Sequence, residues 1–417
     1  MPLNSSLKLS TPSTTFDNCL ISACLNRLFT DKQAANTTAI DIFNTIDDVH
    51  VNIGQIAGSG QVEMTNGRFK LLERNLPDAG HRYAMIRHNG QPVLFAYYQV
   101  FTLTKHNFNL STDNPFTKGL IKLFTSLKRT KVLILGDALQ NEKSCYCYDR
   151  TAMSADEATE AVAALAERIA YDECASAILL KELPELTPAT QKLFAGSGYI
   201  HPFEDNVMEM EVAPAWQSLD DYLKDLSRKY KARATKILAA MDGVTRRQLT
   251  ADEVQQYEGD IHKLFSATVQ EQPFTLTHPS RSFFTDMQKL YGDAFEIWGY
   301  FKAGKLIAFY SAFSEATNYN IYYIGFDYTE NQTHQLYFNI LFAGLEQAIL
   351  QEKPLLQLGR TSMDAKASLG AEARQLNYLL KMEYIPDFVV NRFVKYFASF
   401  ENAKWKQRNP LKNGSMP

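Results

Sequence analysis

The sequence predicts an α/β protein with mixed sheets, built from two tandem units in one chain. Three observations carry this prediction. The order hairpin, strand, helix, buried strand, helix occurs twice along the chain. The 417 residues exceed what one hydrophobic core usually fills. The 45% apolar and 21% charged fractions are those of an ordinary globular protein. We therefore expect an internal duplication of an α/β unit of roughly 150 residues.

The first copy begins with a strand hairpin over residues 83–103. Its Asn89-Gly90 pair favours the positive φ angles that a two-residue turn requires. The predicted elements that follow are a strand at 131–135, a helix at 154–172, a buried strand at 176–180, a short helix at 187–194 and a half-exposed strand at 206–212.

The second copy repeats this order. Its predicted elements are strands at 296–301, 306–313 and 320–326, a helix at 333–350, and a strand at 355–358 that ends at Gly359. We expect an N-terminal unit at 16–215 with a mainly structural role and a C-terminal unit at 216–400 that carries the active cleft. Residues 1–15 are expected to be disordered, and residues 401–417 to form a tail.

The segment between the copies, residues 216–238, has the apolar stripe of one amphipathic helix with Ser218 as its N-cap. Its far end carries five cations: Arg228, Lys229, Lys231, Arg233 and Lys236. Two interpretations stay open. The cations form a solvated face near the negative end of the helix dipole, or they form a rim that attracts an anionic cofactor or substrate.

The charge balance restricts the partners. The 43 Lys and Arg against 46 Asp and Glu give a net charge of -3, which leaves no whole-molecule field for nucleic acid or an anionic membrane. No stretch approaches the roughly 18 apolar residues of a spanning helix, and the first residues lack the pattern of a secretory signal. The sequence thus predicts a cytoplasmic protein. Its five cysteines predict reduced thiols, no disulfide framework and no metal site.

Two segments resemble a known family. Residues 216–236, which contain the run W-x-S-L-D-D-Y-L-x-x-L-S-x-K-x-K-x-R, resemble the central helix of the Fem-like, peptidoglycan-biosynthesis branch of the GNAT acyltransferase superfamily. Residues 325–349 and 358–370 look like that branch's final strand, helix and loop. The resemblance covers about residues 70–395. It implies two GNAT-like units in tandem and the transfer of an acyl or aminoacyl group to an amine.

The resemblance also implies acetyl-CoA or another acyl-CoA as the donor. Members of the superfamily hold its pyrophosphate on a glycine-rich loop between the fourth strand and the next helix. The corresponding stretch here, residues 329–335, has no glycine, and Glu330 opposes a phosphate. The helix N-terminus and the side chains of Asn331, Gln332 and Thr333 remain as phosphate ligands. After the fifth strand, Lys366 and Gly370 match the branch, whereas its His and Arg are absent.

Amide formation from a thioester needs a positioned amine, stabilisation of the oxyanion and a proton for the leaving group, but no protein nucleophile. Tyr323 and Tyr337 are candidate proton donors, and His278 is a candidate base. The candidate ligands for the donor's charges follow the buried strand at 355–358: Arg360, Thr361, Ser362 and Lys366. A structural role remains an alternative for each of these residues.

The predicted function is that of a bacterial N-acyltransferase acting on a small-molecule amine by direct attack. One alternative is a non-catalytic ligand- or partner-binding protein, which the missing glycine loop favours. Another is an aminoacyl-tRNA-dependent ligase, with the basic run at 228–236 as the contact to tRNA. That run is short for RNA binding. A nucleic-acid partner is therefore expected only if the tRNA-dependent alternative is correct.

Overall fold

The computed structural model describes residues 38–57, 64–108, 130–140, 143–200, 205–272, 274–382 and 405–412. They fall into two compact units. The described parts of the first unit are residues 38–57, 64–105, 130–140, 143–200 and 377–382, and the remaining described residues belong to the second unit. The segments 1–15 and 413–417, about which the sequence makes predictions, lie outside the described residues.

The helices and strands of each unit follow the chain. The elements that begin in the first unit are β1 (Thr38–Phe43), α1 (Ile53–Ala57), α2 (Asn66–Asn75), β2 (Gly80–His88), β3 (Gln91–Thr102), β4 (Lys131–Leu135), β5 (Tyr146–Tyr148), α3 (Ala155–Glu173), β6 (Ala177–Leu183) and α4 (Pro188–Gly196). Those that begin in the second unit are β7 (Asp205–Glu211), α5 (Leu219–Asp225), α6 (Arg228–Ala239), β8 (Val244–Gln248), α7 (Ala251–Gln256), α8 (Glu258–Gln270), α9 (Phe283–Tyr291), β9 (Phe295–Lys302), β10 (Lys305–Ser314), β11 (Asn318–Phe326), α10 (Tyr328–His334), α11 (Leu336–Leu350), β12 (Leu355–Gly359), α12 (Met363–Ala367) and β13 (Glu372–Met382).

The first unit's strands lie in the order β1-β2-β3-β4-β6, and residues 377–382 of β13 pair with β6. All neighbours are antiparallel except β4 and β6, which are parallel and are connected through α3. The predicted hairpin is confirmed, since Asn89 and Gly90 have φ angles of 51° and 79°. Helix α3 begins with a capping box between Ser154 and Glu157.

The second unit repeats this arrangement. Residues 372–376 of β13 pair with β7, and the order continues β7-β12-β11-β10-β9-β8. Again one pair is parallel, β11 with β12, and the helix between these strands, α11, is mostly buried. The predicted α/β class with mixed sheets in two tandem units is therefore confirmed. In each unit a helix crosses over between two parallel strands, as in the units that the resemblance implies.

The segment predicted as one helix over 216–238 is instead two helices, α5 and α6. Leu226 between them has an extended conformation and forms a β-bridge with Leu411. The Ser227 N–H donates to the carbonyl of Pro410 at 2.8 Å. Pairing with a distant segment thus breaks a helix that the apolar stripe alone would continue.

The predicted loop at 329–335 and the helix start at 333 are also wrong. Most of this stretch forms the short helix α10, whose N-cap is Asp327. Gln335 then adopts a left-handed conformation with φ of 51°, and α11 begins after it. The helix is interrupted at a glutamine, a residue type that does not favour positive φ, so the sequence pattern does not predict the break.

Candidate functional site

The parallel strands of the second unit separate soon after they meet. Strands β11 and β12 pair only where Asn318–Asn320 lie beside Leu355–Gln357. The register of β11 against β10 shifts at Tyr322, which is an extra, bulged residue. A β-bulge bends its strand, and here the remainder of β11 forms no further described pairing with β12. The two strand ends therefore diverge at the carboxyl edge, where open α/β sheets bind ligands.

Helix α8 forms one wall of this region by packing directly on β11. Gly325 permits the approach, because a Cβ atom at this position would lie 2.6 Å from the carbonyl carbon of Leu264 and 2.7 Å from the nitrogen of Phe265. Both atoms belong to the backbone of α8 and cannot turn aside. The glycine thus allows the helix to lie against the diverging strand.

Side chains near the turn before α11 bond to the backbone and to other side chains around this turn. The Asn331 side-chain oxygen accepts the backbone N–H of Tyr337 at 2.9 Å. Glu330 forms an ion pair with Lys302 at 2.8 Å and lies 3.4 Å from His334. The side chains of Gln332 and Thr333 are exposed on α10. Of the three predicted phosphate ligands in this stretch, Asn331 therefore caps the helix and the other two face solvent.

Tyr337 lies in the first turn of α11, next to the chain that leaves β12. Burial raises the pKa of Tyr337 to about 12, although the hydroxyl of Ser362 acts in the opposite direction. The phenol consequently keeps its proton at neutral pH. Its ring lies 6.2 Å from that of Phe326 at the end of β11. The structure thus brings two predicted site residues, Tyr337 and Ser362, together beside the diverging strands.

The residues after β12 differ in exposure. Arg360 is half-buried, Thr361 and Ser362 are exposed, and Ser362 has a left-handed backbone with φ of 58°. Lys366 is buried, with 4% of its surface exposed, and its Nζ donates to the Gly359 carbonyl at 3.0 Å. One cation is therefore held against the strand end, and a second lies at the surface of the same loop.

The two remaining predicted residues lie apart from this loop. The ring of Tyr323 packs in an aromatic cluster, 5.0 Å from Phe265 and 6.3 Å from Phe284. The backbone of Tyr323 both donates to and accepts from the Ser311 hydroxyl. His278 is exposed in the segment before α9. No described contact joins His278 to Tyr323 or Tyr337.

Two features near the site were missed by sequence reasoning. Ser311 fixes the bulge on the neighbouring strand, and no motif marks it. The Arg233 guanidinium lies 4.9 Å from the centre of the Phe338 ring, so helix α6 borders the first turn of α11. The basic run at 228–236 had indicated Arg233 as a candidate residue, but it did not indicate that Arg233 contacts α11.

In the first unit, buried charged side chains at the corresponding strand ends bond to one another and to backbone carbonyls of that unit. After β4, Asp137 is ion-paired with Arg68 at 2.5 Å, with both side chains buried. Lys181 in β6 donates to the carbonyls of Asp137 and Gln140 at 2.9 and 2.7 Å. The neighbouring Glu182 accepts the Tyr378 hydroxyl at 3.0 Å and has φ of 53°. The carboxyl ends of these parallel strands therefore hold an internal polar cluster.

Three further observations concern the predictions on metal, membrane and thiols. Among the described residues, no group of three His, Cys, Asp or Glu side chains is placed to hold a metal ion. None of the described helices combines the length and the hydropathy needed to cross a membrane. Cys145, Cys147 and Cys174 are free thiols, while Cys19 and Cys24 lie outside the described residues.

No protein-family model and no curated protein matches the chain. Among solved structures, the chain is similar to FemX at 10% identity, over 86% of this chain and 99% of that chain, with a TM-score of 0.48. It is similar to a tandem GNAT protein from the clavulanic acid biosynthesis pathway at 12% identity, over 84% and 100%, with a TM-score of 0.48. A GCN5-related N-acetyltransferase from Kribbella flavida is similar at 10% identity, over 83% and 71%, with a TM-score of 0.41. The similarity that the sequence predicted, to tandem GNAT and Fem-like proteins, is thus found.

Proposed function

We propose that the protein is an N-acyltransferase whose reaction takes place between the ends of β11 and β12 in the second unit. The observation that carries this proposal is the divergence of the two parallel strands after three paired positions, with a bulge at Tyr322. A diverging strand edge can receive an extended acyl donor, whose amide groups pair with the open backbone as an added strand would.

The reaction proposed is a direct attack. A neutral amine adds to the carbonyl carbon of a thioester or ester and forms a tetrahedral oxyanion. The intermediate collapses to an amide, the bond from carbon to the leaving sulfur or oxygen breaks, and the amine loses a proton. No covalent intermediate with the enzyme is needed, so the protein contributes position, charge stabilisation and proton transfer.

Tyr337 is the proton donor that we propose for the leaving group. Its phenol is protonated at neutral pH, as an ordinary tyrosine is, and it lies where α11 meets the loop after β12. A thiolate leaving group would accept this proton, and the resulting phenolate would recover one from solvent or from the attacking amine. Tyr323 remains a second candidate, and His278 remains a candidate base on the acceptor side.

The donor that we propose is acetyl-CoA or a longer acyl-CoA. Arg360 supplies a positive charge at the carboxyl end of β12, and Thr361 and Ser362 supply hydroxyl groups. The buried Nζ of Lys366 lies 3.0 Å from the Gly359 carbonyl and adds a second positive charge at this edge. Together these groups suit a donor that carries anionic groups beyond its acyl chain.

A non-catalytic binding protein is the second candidate function. It is favoured by the turn before α11, where Asn331 occupies the Tyr337 N–H and the carboxylate of Glu330 is present. These two groups disfavour a pyrophosphate at the position where the superfamily binds it. In this case the diverging strands would hold a ligand and transfer nothing.

Calorimetric titration of acetyl-CoA and a long-chain acyl-CoA tests the proposal. We expect the wild type to bind a donor, and Arg360→Ala to raise the donor dissociation constant roughly tenfold to a hundredfold, since a hydrogen bond to a charged group contributes about 1.5–3 kcal/mol. The matched control is Arg374→Ala, which removes a half-exposed arginine of the same unit that pairs with Glu209. This control should leave the dissociation constant unchanged.

The outcomes separate the candidates. If the wild type binds neither donor, an acyl-CoA-dependent transferase is excluded and a tRNA-dependent ligase or a binding protein is favoured. If Arg360→Ala binds as the wild type does, Arg360 is not a ligand. If the donor binds, Tyr337→Phe should lower the rate of acyl transfer by about 10²-fold or more at an unchanged donor dissociation constant. Binding with no transfer by the wild type to any primary amine favours the non-catalytic candidate.

A further inference from the structure

Helix α6 has an unbalanced charge. Its 12 residues include five cations and no carboxylate, and all five cationic side chains are exposed. The members are Arg228, Lys229, Lys231, Arg233 and Lys236. Like charges three or four residues apart repel one another on a helix, and cations in its first turn oppose the helix dipole. The arrangement therefore costs folding stability and is not explained by helix formation.

Several other cations of the second unit are paired. Arg246 forms an ion pair with Glu346, Arg247 with Glu253, Lys302 with Glu330 and Arg374 with Glu209. In contrast, none of the five α6 cations forms an ion pair with any residue that the structure describes. The positive charge of α6 is consequently available to an external anion.

Three of these cations form one row. Lys229, Arg233 and Lys236 have the spacing i, i+4, i+7, which places them on one side of the helix over about 10 Å. We call them the cation row. Arg228 and Lys231 lie on the other side of the exposed face.

Arg233 of the cation row borders the proposed site. Arg233 stacks on the ring of Phe338, whose neighbour Tyr337 lies beside Ser362. The position of α6 is fixed there, because the Asn339 side chain donates to the Ile237 carbonyl at 3.0 Å. A guanidinium stacked on a ring still presents its N–H edges to an anion. Charge for a bound ligand is thus available within one helix turn of the proposed proton donor.

We propose that the cation row binds the phosphate groups of the acyl donor's nucleotide. This inference rests on the proposed function. It assigns phosphate binding to α6 because the turn before α11 disfavours a phosphate. Asn331 fills a backbone donor of that turn, and Glu330 repels phosphate there. A donor bound along β11 and β12 would then place its phosphates on side-chain cations of α6.

The size of the cation row favours a nucleotide-linked small molecule over RNA. Three cations over about 10 Å suit a ligand with two or three phosphates. RNA binding at physiological salt normally needs contacts to more phosphates over a broader surface. The net charge of -3 adds no general attraction for RNA.

The test replaces the cation row in the full-length protein. The variant Lys229→Gln/Arg233→Gln/Lys236→Gln is compared with Arg228→Gln/Lys231→Gln, which removes charge from the other side of the same helix. Both are titrated calorimetrically with acetyl-CoA and with adenosine 3′,5′-bisphosphate, a probe that has phosphates and no acyl group. Acetyl-pantetheine, which has the acyl arm and no nucleotide, is the third probe.

We expect the cation-row variant to raise the dissociation constants of acetyl-CoA and the bisphosphate about thirtyfold or more, and the control variant to change them less than about threefold. Binding of acetyl-pantetheine should be the same for all proteins. An unchanged bisphosphate affinity in the cation-row variant would overturn the inference, and so would an equal loss in both variants. Binding of tRNA that the cation-row variant loses, with no bisphosphate binding by the wild type, would overturn it in favour of RNA.

The two proposals fail separately. If the wild type transfers no acyl group but binds the bisphosphate through the cation row, the proposed function is wrong, and the row is a phosphate site without an acyl donor. If the wild type transfers acyl groups from acetyl-CoA and the cation-row variant does so with an unchanged KM, the inference is wrong and the proposed function holds.

Discussion

The two units use the carboxyl ends of their parallel strands differently. In the first unit, Asp137 and Lys181 at these ends are buried and bonded to other groups of that unit. In the second unit, Arg360 is half-buried and Thr361 and Ser362 are exposed. The difference shows that one topology can enclose its polar groups as internal structure or leave them at a surface for a ligand.

The two crossover helices differ in how their N-termini are capped. Helix α3 of the first unit begins with a complete capping box, and Glu157 places a carboxylate at its N-terminus. Helix α11 of the second unit begins after the left-handed Gln335, whose side chain makes no capping hydrogen bond, and the Asn331 side chain accepts the Tyr337 N–H in its place. The two strand edges and the two helix starts are therefore built differently. The following variants test them.

The largest effect should come from the buried ion pair of the first unit. Asp137→Ala leaves the Arg68 charge buried without its carboxylate, and we expect the free energy of unfolding to fall by about 3–5 kcal/mol. Urea denaturation measures this loss. Arg87→Ala, which breaks a partly exposed ion pair with Asp41 in the same unit, should cost at most about 1 kcal/mol.

The double variant Arg68→Met/Asp137→Leu gives the matching control. It removes both charges, so its loss should be much smaller than the sum of the two single losses. Donor affinity should be unaffected in every variant that remains folded. If Asp137→Ala weakened donor binding at a temperature where it is folded, the first unit would have more than a structural role.

The next largest effect should come from the strand that lines the site. Gly325→Ala places a methyl group 2.6 Å from the backbone of Leu264, so α8 must shift, at a cost of about 1–3 kcal/mol. Gly196→Ala in α4 is the matched control, because nothing lies within 4 Å of its added Cβ and its φ is not positive. This control should be neutral or stabilising by up to about 1 kcal/mol. Equal stability of the two variants would contradict the close approach.

A smaller loss of stability is expected from variants at the N-termini of the two crossover helices, and this loss should be larger for α3 than for α11. Ser154→Ala removes the capping box of α3 and should cost about 1 kcal/mol. Gln335→Ala at the start of α11 removes no capping bond and should change the free energy of unfolding by less than about 0.5 kcal/mol. Thermal and urea denaturation measure both values. A larger loss for Gln335→Ala would show that the comparison of the two helix starts is wrong.

The smallest effect should be a pH dependence in the first unit. His81 accepts the Tyr97 hydroxyl at its Nδ1 at 2.7 Å, and burial lowers the pKa of His81 below its ordinary value of 6.5. The folded state therefore holds His81 neutral, whereas the unfolded chain takes up a proton as the pH falls below 6.5. The contribution of His81 to stability is complete above that pH and decreases below it.

Urea unfolding between about pH 7.5 and about pH 5 measures this dependence. The variant His81→Gln should show a smaller loss of stability over the acidic part of the range than the wild type does. The control His278→Gln changes an exposed histidine and should retain the wild-type slope. If the free energy of unfolding of His81→Gln changed with pH as that of the wild type does, groups other than His81 would cause the pH dependence.

Much of the fold could be predicted from local signals. The Asn89-Gly90 turn, the N-cap Ser154 and the apolar run at 131–135 each encode their structure within a few residues. The Arg68–Asp137 ion pair and the break at Leu226 could not be predicted, because each depends on a partner far along the chain. Local patterns carry no information about such partners.

The candidate site was predictable only in part. The strand end at Gly359 indicated the place of Arg360, Thr361 and Ser362, because ligand-binding residues follow the strands of open α/β sheets. The burial of Lys366 was not predictable, since a lysine in a short helix is usually solvated. Nor did the sequence indicate that α6 lies beside α11.

Strand β13 has a consequence for how the protein is made. Its residues 377–382 complete the sheet of the first unit beside β6, which ends at Leu183. A ribosome must add 199 residues after Leu183 before Met382 is in place, which takes roughly 10–40 s at ordinary elongation rates. During that time β6 lacks its final neighbour, and an open strand edge pairs readily with other chains. A chaperone that shields strand edges would therefore protect this protein most during the interval between the synthesis of β6 and that of residues 377–382.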